Sequence, residues 1–430
     1  MKRMQEITVF LEKVSEKGMV MTLDPLKKLC EMLGDPQNDL PCVHVAGTNG
    51  KGSVLSMVTA CLEVAGYKIG KFFSPQVFDD EPAVTINGKH VDDVLYFDVM
   101  SDIMSAYNVM EQQGAETPTV FEIEAVSAIM CFSRAGCNIV AVECGLGGET
   151  DATNIIDSNA VCVITSVGLD HMRFLGDTVY DIAANKAGIF RKDCTAVSAL
   201  QCEQAEQAIR KKADEIGCKL VECEKARLIK DMGFDGQLFE YKGEEYKIGL
   251  CGRHQLENAV AAIEAVKALR EKGFDISDEQ IKAGLAAAKW HGRFERVSID
   301  PLVILDGAHN VPAANALRCA FSEYLDGYKI VLLFGILADK QYEQIVDILA
   351  PSAEEIVTFT PPCERGLDSK KLAEICSCYA PSHFEQSPYD AVNYALKKAE
   401  QSKYKIAVCA VGSLYSLNEI KKALKSIDIK

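Results

Sequence analysis

Residues 41–75 read PCVHVAGTNGKGSVLSMVTACLEVAGYKIGKFFSP. Cys42 to Ala46 is a short apolar run with β-branched Val43 and Val45, the pattern of a buried strand. Gly47-Thr48-Asn49-Gly50-Lys51-Gly52-Ser53 follows at once. Residues 54–65 then run apolar at helical spacing, and Gly66 stops the run. A strand, a glycine-rich turn and a helix in succession make a phosphate loop. Glycines let the backbone approach an anion, and the turn's N–H groups and the helix N-terminus point at it. Lys51 adds a point charge for the outer phosphates and Ser53 a hydroxyl. The usual G-x-x-x-x-G-K-[ST] spacing is not met: Val45 stands where the first glycine belongs, and Gly52 separates Lys51 from Ser53. A tight turn that packs helix on strand is the alternative reading of the glycines.

Outward from this stretch, 430 residues suit two domains. With 48% hydrophobic and 25% charged residues the composition is that of a globular protein with ample core. No apolar run approaches the ~20 residues of a membrane span. The first 18 residues read as an amphipathic helix without a signal-peptide core, so a cytoplasmic location is expected. The seventeen cysteines are scattered through apolar segments with no C-x-x-C, and only Cys376 and Cys378 lie close. Buried reduced thiols are expected, not zinc. A net charge of −16 argues against general nucleic-acid binding. It also means that an anionic substrate needs local cations.

Several strands end in polar residues, where open α/β sheets bind ligands. Strand 69–73 ends at Ser74, which on the residues alone reads as a turn serine. Strand 138–143 ends at Glu143, followed by glycines, and reads as a Mg²⁺ ligand. Strand 160–166 leads to Gly168-Leu169-Asp170-His171; a lone histidine reads first as a satisfied polar group, and its place at a third strand end offers a neutral imidazole for a second metal position beside Glu143. Thr119 and Glu122 form a capping box, Asp24 reads as an N-cap ahead of Pro25, and Lys242-Gly243 turns a hairpin. From Pro301 the pattern becomes repeated strand–helix units without G-x-G-x-x-G, a second parallel, Rossmann-like domain. The expected division is 1–296 for the phosphate-loop domain and 297–430 for the second.

The form GTNGKGS resembles the ATP loop of the Mur ligase superfamily, in particular the folylpolyglutamate synthase and dihydrofolate synthase branch. Further likenesses run to Tyr415: Leu23-Asp24-Pro25, Ser74-Pro75, Phe121-Glu122, Asp151-Ala152-Thr153-Asn154, GLDH at 168–171, the KAGI of Lys186, GRHQLEN at 252–258, Trp290 with Gly292-Arg293, DGAHN at 306–310, LADK at 337–340 and GSLY at 412–415. The resemblance implies an ATP-dependent ligase that joins L-glutamate to a folate-class carboxylate through an acyl phosphate, as a monomer. It implies ATP held by Gly47 to Ser53 with Asn258, Arg293 and Asp306. It implies two Mg²⁺ positions at Ser74, Glu143 and His171, and a carbamylated Lys186. Catalytic roles are expected for Lys51, Lys186, Asp306 and His309. Acceptor contacts are expected from Leu23, Asp24, Phe121, Glu122, Asp151, Ala152 and Thr153, and glutamate contacts from His309 and Ser413. On residues alone, the alternative for Lys186 is a surface lysine snorkelling from its helix, and for Asn258 a helix cap or surface amide.

The departures are local. Gln76 replaces a histidine, Asp79-Asp80-Glu81-Pro82-Ala83 removes two arginines, Glu149 stands for a third, and His291 for a proline. Fewer cations predict weaker attraction for a polyanionic acceptor tail. They also leave open a Mur-type ligase for another carboxylate, or a phosphate-loop ATPase or binding module without ligation.

Overall fold

A computed structural model describes residues 2–15 and 22–427. The first expected helix is present as Lys2–Ser15; Met1 and residues 16–18 of that expectation, and Met21, lie outside the described residues.

Among the described residues the N-terminal part is built on one eight-stranded sheet. Its centre is β1 (Cys42–Ala46), fully buried, as the apolar run predicts. The other strands are β2 (Ile69–Phe72), β3 (Val84–Ile86), β4 (Lys89–His90), β5 (Ile139–Glu143), β6 (Asn159–Ile164), β7 (Thr195–Ser198) and β8 (Lys219–Glu222). Their order is β4-β3-β2-β5-β1-β6-β7-β8. All pair in parallel except β2–β3 and β3–β4. Since β1 lies between β5 and β6, the chain's path reverses there, and the crevice at the strands' C-terminal ends opens beside the phosphate loop.

The loop helix, Lys51–Val64, begins three residues earlier than its apolar run. Val54, Leu55, Met57, Val58, Cys61 and Leu62 are all buried, so this helix is enclosed on nearly every side, which explains its lack of a polar stripe. It packs under helix His254–Glu271 and helix Asp278–Ala287. A three-stranded antiparallel sheet, β9 (Arg227–Asp231), β10 (Gln237–Tyr241) and β11 (Glu244–Ile248), covers this face. Its β10–β11 turn is the Lys242-Gly243 hairpin.

The second sheet runs β12 (Glu295–Ile299), β13 (Leu302–Leu305), β17 (Ile406–Val411), β14 (Lys329–Phe334), β15 (Glu355–Thr358) and β16 (Ser382–Phe384). It is parallel apart from the β12–β13 edge. Glu295 already pairs with Leu305, so a division after residue 296 falls within β12. Strand β16 escapes the sequence pattern because it has three residues, none buried.

One local expectation needs correction. Leu23, not Asp24, occupies the N-cap of helix Asp24–Met32 with no side-chain capping bond; the exposed Asp24 sits in the first turn, where its charge complements the helix dipole. Helix Val179–Lys186 ends before Gly188, which lies in a following 3-10 turn. A Cβ on Gly188 would run into Glu149.

Candidate active site

A cavity of about 520 Å³ lies between the two sheets' strand ends. The phosphate loop, residues 47–53, forms its floor. Gly50 caps the loop helix at φ 91°, a conformation that favours glycine. Its bare Cα also allows close approach: a Cβ there would overlap Asn258, as one on Gly52 would overlap the Trp290 ring and one on Gly47 Thr165. Asn258 is thus packed beneath the loop, its amide donating to Gln255 Oε1 at 2.9 Å. Asn258 is not among the cavity's walls.

Lys51 Nζ stands 3.7 Å from Glu143 Oε1, and both are largely buried. Burial raises the Glu143 carboxyl above its ordinary range, while Lys51 and Arg293 oppose that rise. Lys186 is 4% exposed, so it is not a surface lysine. Its Nζ donates to Gly47 O at 2.8 Å. Burial, and then the charge of Lys51, lower its pKa to about 7. His171 is 42% exposed, and its partial burial lowers its pKa to about 4, against the charge of Asp170, which leaves a neutral imidazole.

Ser74, Glu143, His171 and Lys186 all line the cavity. They fit a hard cation: one buried carboxylate, a hydroxyl and an unprotonated imidazole. Among the described residues, no group of three or more His, Cys, Asp or Glu side chains forms a metal cage. Mg²⁺ does not need one, since it keeps waters and shares ligands with phosphate.

One wall of the cavity is lined by Phe73, Pro75, Val77, Glu81, Thr119, Phe121, Glu122, Asp151 and Ala152. The capping box fixes Glu122, whose Oε2 accepts from the Thr119 N–H at 2.7 Å. Asp151 Oδ2 accepts from the Leu146 N–H at 2.7 Å, and its Oδ1 from the Thr153 N–H at 3.0 Å. Thr153 lies below the wall, 2.8 Å from buried His44 Nε2. Leu23 and Asp24 do not line the cavity; Leu23 packs against the adjoining core.

The segment leading into β12 supplies Arg293, and the second domain supplies His309, Leu337, Lys340, Arg365, Ser413, Leu414 and Tyr415. His309 Nδ1 donates to Gly307 O at 2.7 Å, which leaves Nε2 as the unprotonated nitrogen of a neutral ring. Burial and the charges of Lys340 and Arg293 hold its pKa near 4. Asp306 is not brought to the cavity. Its oxygens accept from the Phe294 and Ala308 N–H groups, both at 2.8 Å, so it braces the segment carrying Arg293.

Asp170, to which the sequence assigned no role, joins the two halves. Lys340 Nζ donates to it at 2.8 Å and Asn310 Nδ2 at 3.0 Å. Asn310 also meets Asn49 of the phosphate loop at 3.1 Å. Burial alone raises the Asp170 carboxyl, but Lys340 and His171 hold it well below the ordinary range. Lys340, Asn310 and Asp170 all stand inside motifs quoted above; their sharing one site was the missing signal.

The altered positions lie mostly elsewhere. Glu149 is exposed, with Lys212 at 3.9 Å. Gln76 is exposed and donates to Phe78 O at 3.1 Å. Asp79 and Asp80 face the last helix of the second domain. Of the altered acids only Glu81 lines the cavity, so the predicted repulsion of an anionic tail loses most of its basis.

The Mur ligase middle domain family model matches residues 45–266, and the Mur ligase, glutamate ligase domain matches residues 292–414. The dihydrofolate synthase/folylpolyglutamate synthase of Bacillus subtilis is 31% identical over 417 residues, covering 95% of this chain and 96% of that protein. This chain belongs to the folylpolyglutamate synthase/dihydrofolate synthase family. Its Mycobacterium tuberculosis relative of the same description is 30% identical over 82% of this chain and 77% of its own. A Mycobacterium tuberculosis folylpolyglutamate synthase solved with ADP superposes with a TM-score of 0.89 over all of both chains, at 25% identity. Escherichia coli FolC in complex with DHPP and ADP gives 0.86 over 98% of each, at 26%. As a family member the chain is a Mur-type ATP-dependent glutamate ligase. Among the described residues no helix is long and apolar enough to cross a membrane.

Proposed function

We propose that this folylpolyglutamate synthase/dihydrofolate synthase relative uses ATP to join L-glutamate to a folate-class carboxylate, with Phe121 and Asp151 walling the acceptor side and His309 and Ser413 the glutamate side. The observation that carries this reading is one cavity between the domains. It is floored by a phosphate loop and walled by an aromatic–carboxylate side and a cationic side. The acceptor's carboxylate attacks the γ-phosphoryl group of ATP and ADP leaves, giving an acyl phosphate. The glutamate amine attacks the acyl carbon, loses a proton, and phosphate leaves.

Gly47 to Ser53 cradle the phosphates, and Lys51 stabilises charge building on the transferred group. Ser74, Glu143 and His171 would hold Mg²⁺, which supplies positive charge opposite the phosphates. Neutral His309, its Nδ1–H tied to Gly307, is suited to accept the amine's proton at Nε2. Arg293 orients the nucleotide. The enclosing walls keep water from the acyl phosphate. Lys186 carries CO₂ as a carbamate in this reading: its burial supplies the uncharged amine that CO₂ requires.

The test is glutamate-dependent ADP release with dihydropteroate, tetrahydrofolate and its triglutamate. Turnover of any of them supports the reading. ADP release without glutamate would instead mark an ATPase, and turnover of only non-pterin acids another Mur-type ligase.

A further inference from the structure

The loop joining β2 to β3 departs most from its family's text, and its acids grip the second domain. Phe78 is 1% exposed and belongs to the core that contains Val303, Leu305, Leu417 and Ile420. Lys421 Nζ lies 4.5 Å from the centre of its ring. The Asp79 N–H donates to Asn418 Oδ1 at 3.2 Å, and Asn418 Nδ2 donates back to Asp79 Oδ1 at 3.0 Å. Lys422 stands 2.9 Å from Asp79. Asp80 meets Lys421 at 3.1 Å and Lys425 at 3.5 Å. Residues 418, 421, 422 and 425 share one face of helix Leu414–Ser426.

Both partners of this grip also reach the cavity. The loop contributes Ser74, Pro75, Val77 and Glu81; the helix contributes Leu414 and Tyr415, and its N-cap Ser413. The gripped face begins within one helical turn of Tyr415, at Asn418, and runs on to Lys425, roughly 15 Å along the axis. A shift of the loop therefore moves both the acceptor wall and the opposing helix end.

We propose that Phe78, Asp79 and Asp80 form a clasp that positions Ser413 and Tyr415 against the acceptor wall, and so governs capture of the incoming amino acid. Asp79 and Asp80 are positioning residues that touch no substrate. This role rests on the glutamate-ligase reading above. It also accounts for the lost arginines: acids at these positions meet the lysines of the last helix.

The test compares wild type, the pair Asp79→Lys/Asp80→Lys, the pair Lys421→Glu/Lys422→Glu, and all four substitutions together. Each acid or lysine pair alone is expected to raise KM for glutamate at least fivefold, with KM for ATP within twofold of wild type. The combined variant is expected to return within twofold of wild type. An unchanged glutamate KM in a folded reversed variant, an equal rise for ATP, or no recovery in the combined variant would overturn the clasp. Small-angle scattering without substrates gives a readout independent of activity: the reversed variants should have a larger radius of gyration and the combined variant the wild-type value. An unchanged radius of gyration counts against the clasp. Wild type inactive with every pterin acid would instead overturn the functional reading, leaving the clasp to the scattering result.

Discussion

Lys51 and Glu143 show how little charge separates a resting site from a working one. Their heads stand 3.7 Å apart, so the lysine partly neutralises the carboxylate. Lys51→Ala is expected to keep the fold, because its side chain borders the cavity. It should lower kcat by about 10²–10³, or roughly 2.7–4 kcal/mol, the cost of losing one preorganised charge contact. Single-turnover ADP formation checks this.

Lys186 carries a pH signature. With its pKa near 7, the amine is neutral above that value and open to CO₂. As pH falls through 7 it is protonated, so carbamate and turnover should both decline, and added bicarbonate should shift the decline downward. ¹³C NMR with labelled bicarbonate reads the adduct directly. In the uncarbamylated chain the same depression makes stability rise with pH from about 7 toward the ordinary 10.5, because the unfolded chain binds the proton more tightly.

Among the altered acids, Glu81→Gln should raise kcat/KM for triglutamyl over monoglutamyl acceptors, whereas Glu149→Gln should leave the ratio unchanged. Glu81 lines the cavity, and Glu149 is exposed beside Lys212. Steady-state kinetics at low salt separates the two.

At the scale of the element, the phosphate loop was legible because its signal is local. A β-branched run, a glycine turn and an apolar helix lie consecutively in the chain, and each is fixed by its own dihedral and burial preferences. The reason for Gly52 was not local. A Cβ there would enter the Trp290 ring, which is 238 residues away in sequence. Gly52→Ala is expected to displace Trp290, quench or shift the emission of this only tryptophan, and weaken nucleotide binding more than it lowers Tm. The capping box at Thr119 was legible for the same local reason, and Thr119→Ala should cost about 1 kcal/mol. It should also free Glu122 at the acceptor wall, raising KM for the acceptor. Asp24 failed as a cap because the sequence names residue types that cap, while the backbone's turn into the helix decides which residue stands at the boundary.

At the scale of the whole molecule, the two sheets meet through Asp170. Lys340 and Asp170 are each about nine-tenths buried. Removing one partner of such a pair strands the other charge, so Lys340→Met should destabilise by roughly 3 kcal/mol. The loss should shrink at low pH, because the Asp170 carboxyl is held below its ordinary range. Its contribution is full above the ordinary carboxylate pKa and is lost as pH falls through the depressed value. Denaturant titrations at pH 7 and pH 3 check the sign.

The sequence by itself determined the phosphate loop, the strand-end acids and hydroxyls, and the two-domain parallel architecture. These follow from neighbours in the chain, whose periodicity and turn chemistry act over a few residues. Only the tertiary structure decided which side chains share the cavity. It turned Asp306 and Asn258 to bracing contacts, left Leu23 and Asp24 outside, and made Asp170 the joint between domains. It also set Asp79 and Asp80 against Lys421, Lys422 and Lys425 instead of against a substrate. A charge's effect depends on what stands within a few ångströms of it, and for these residues those neighbours come from the far end of the chain.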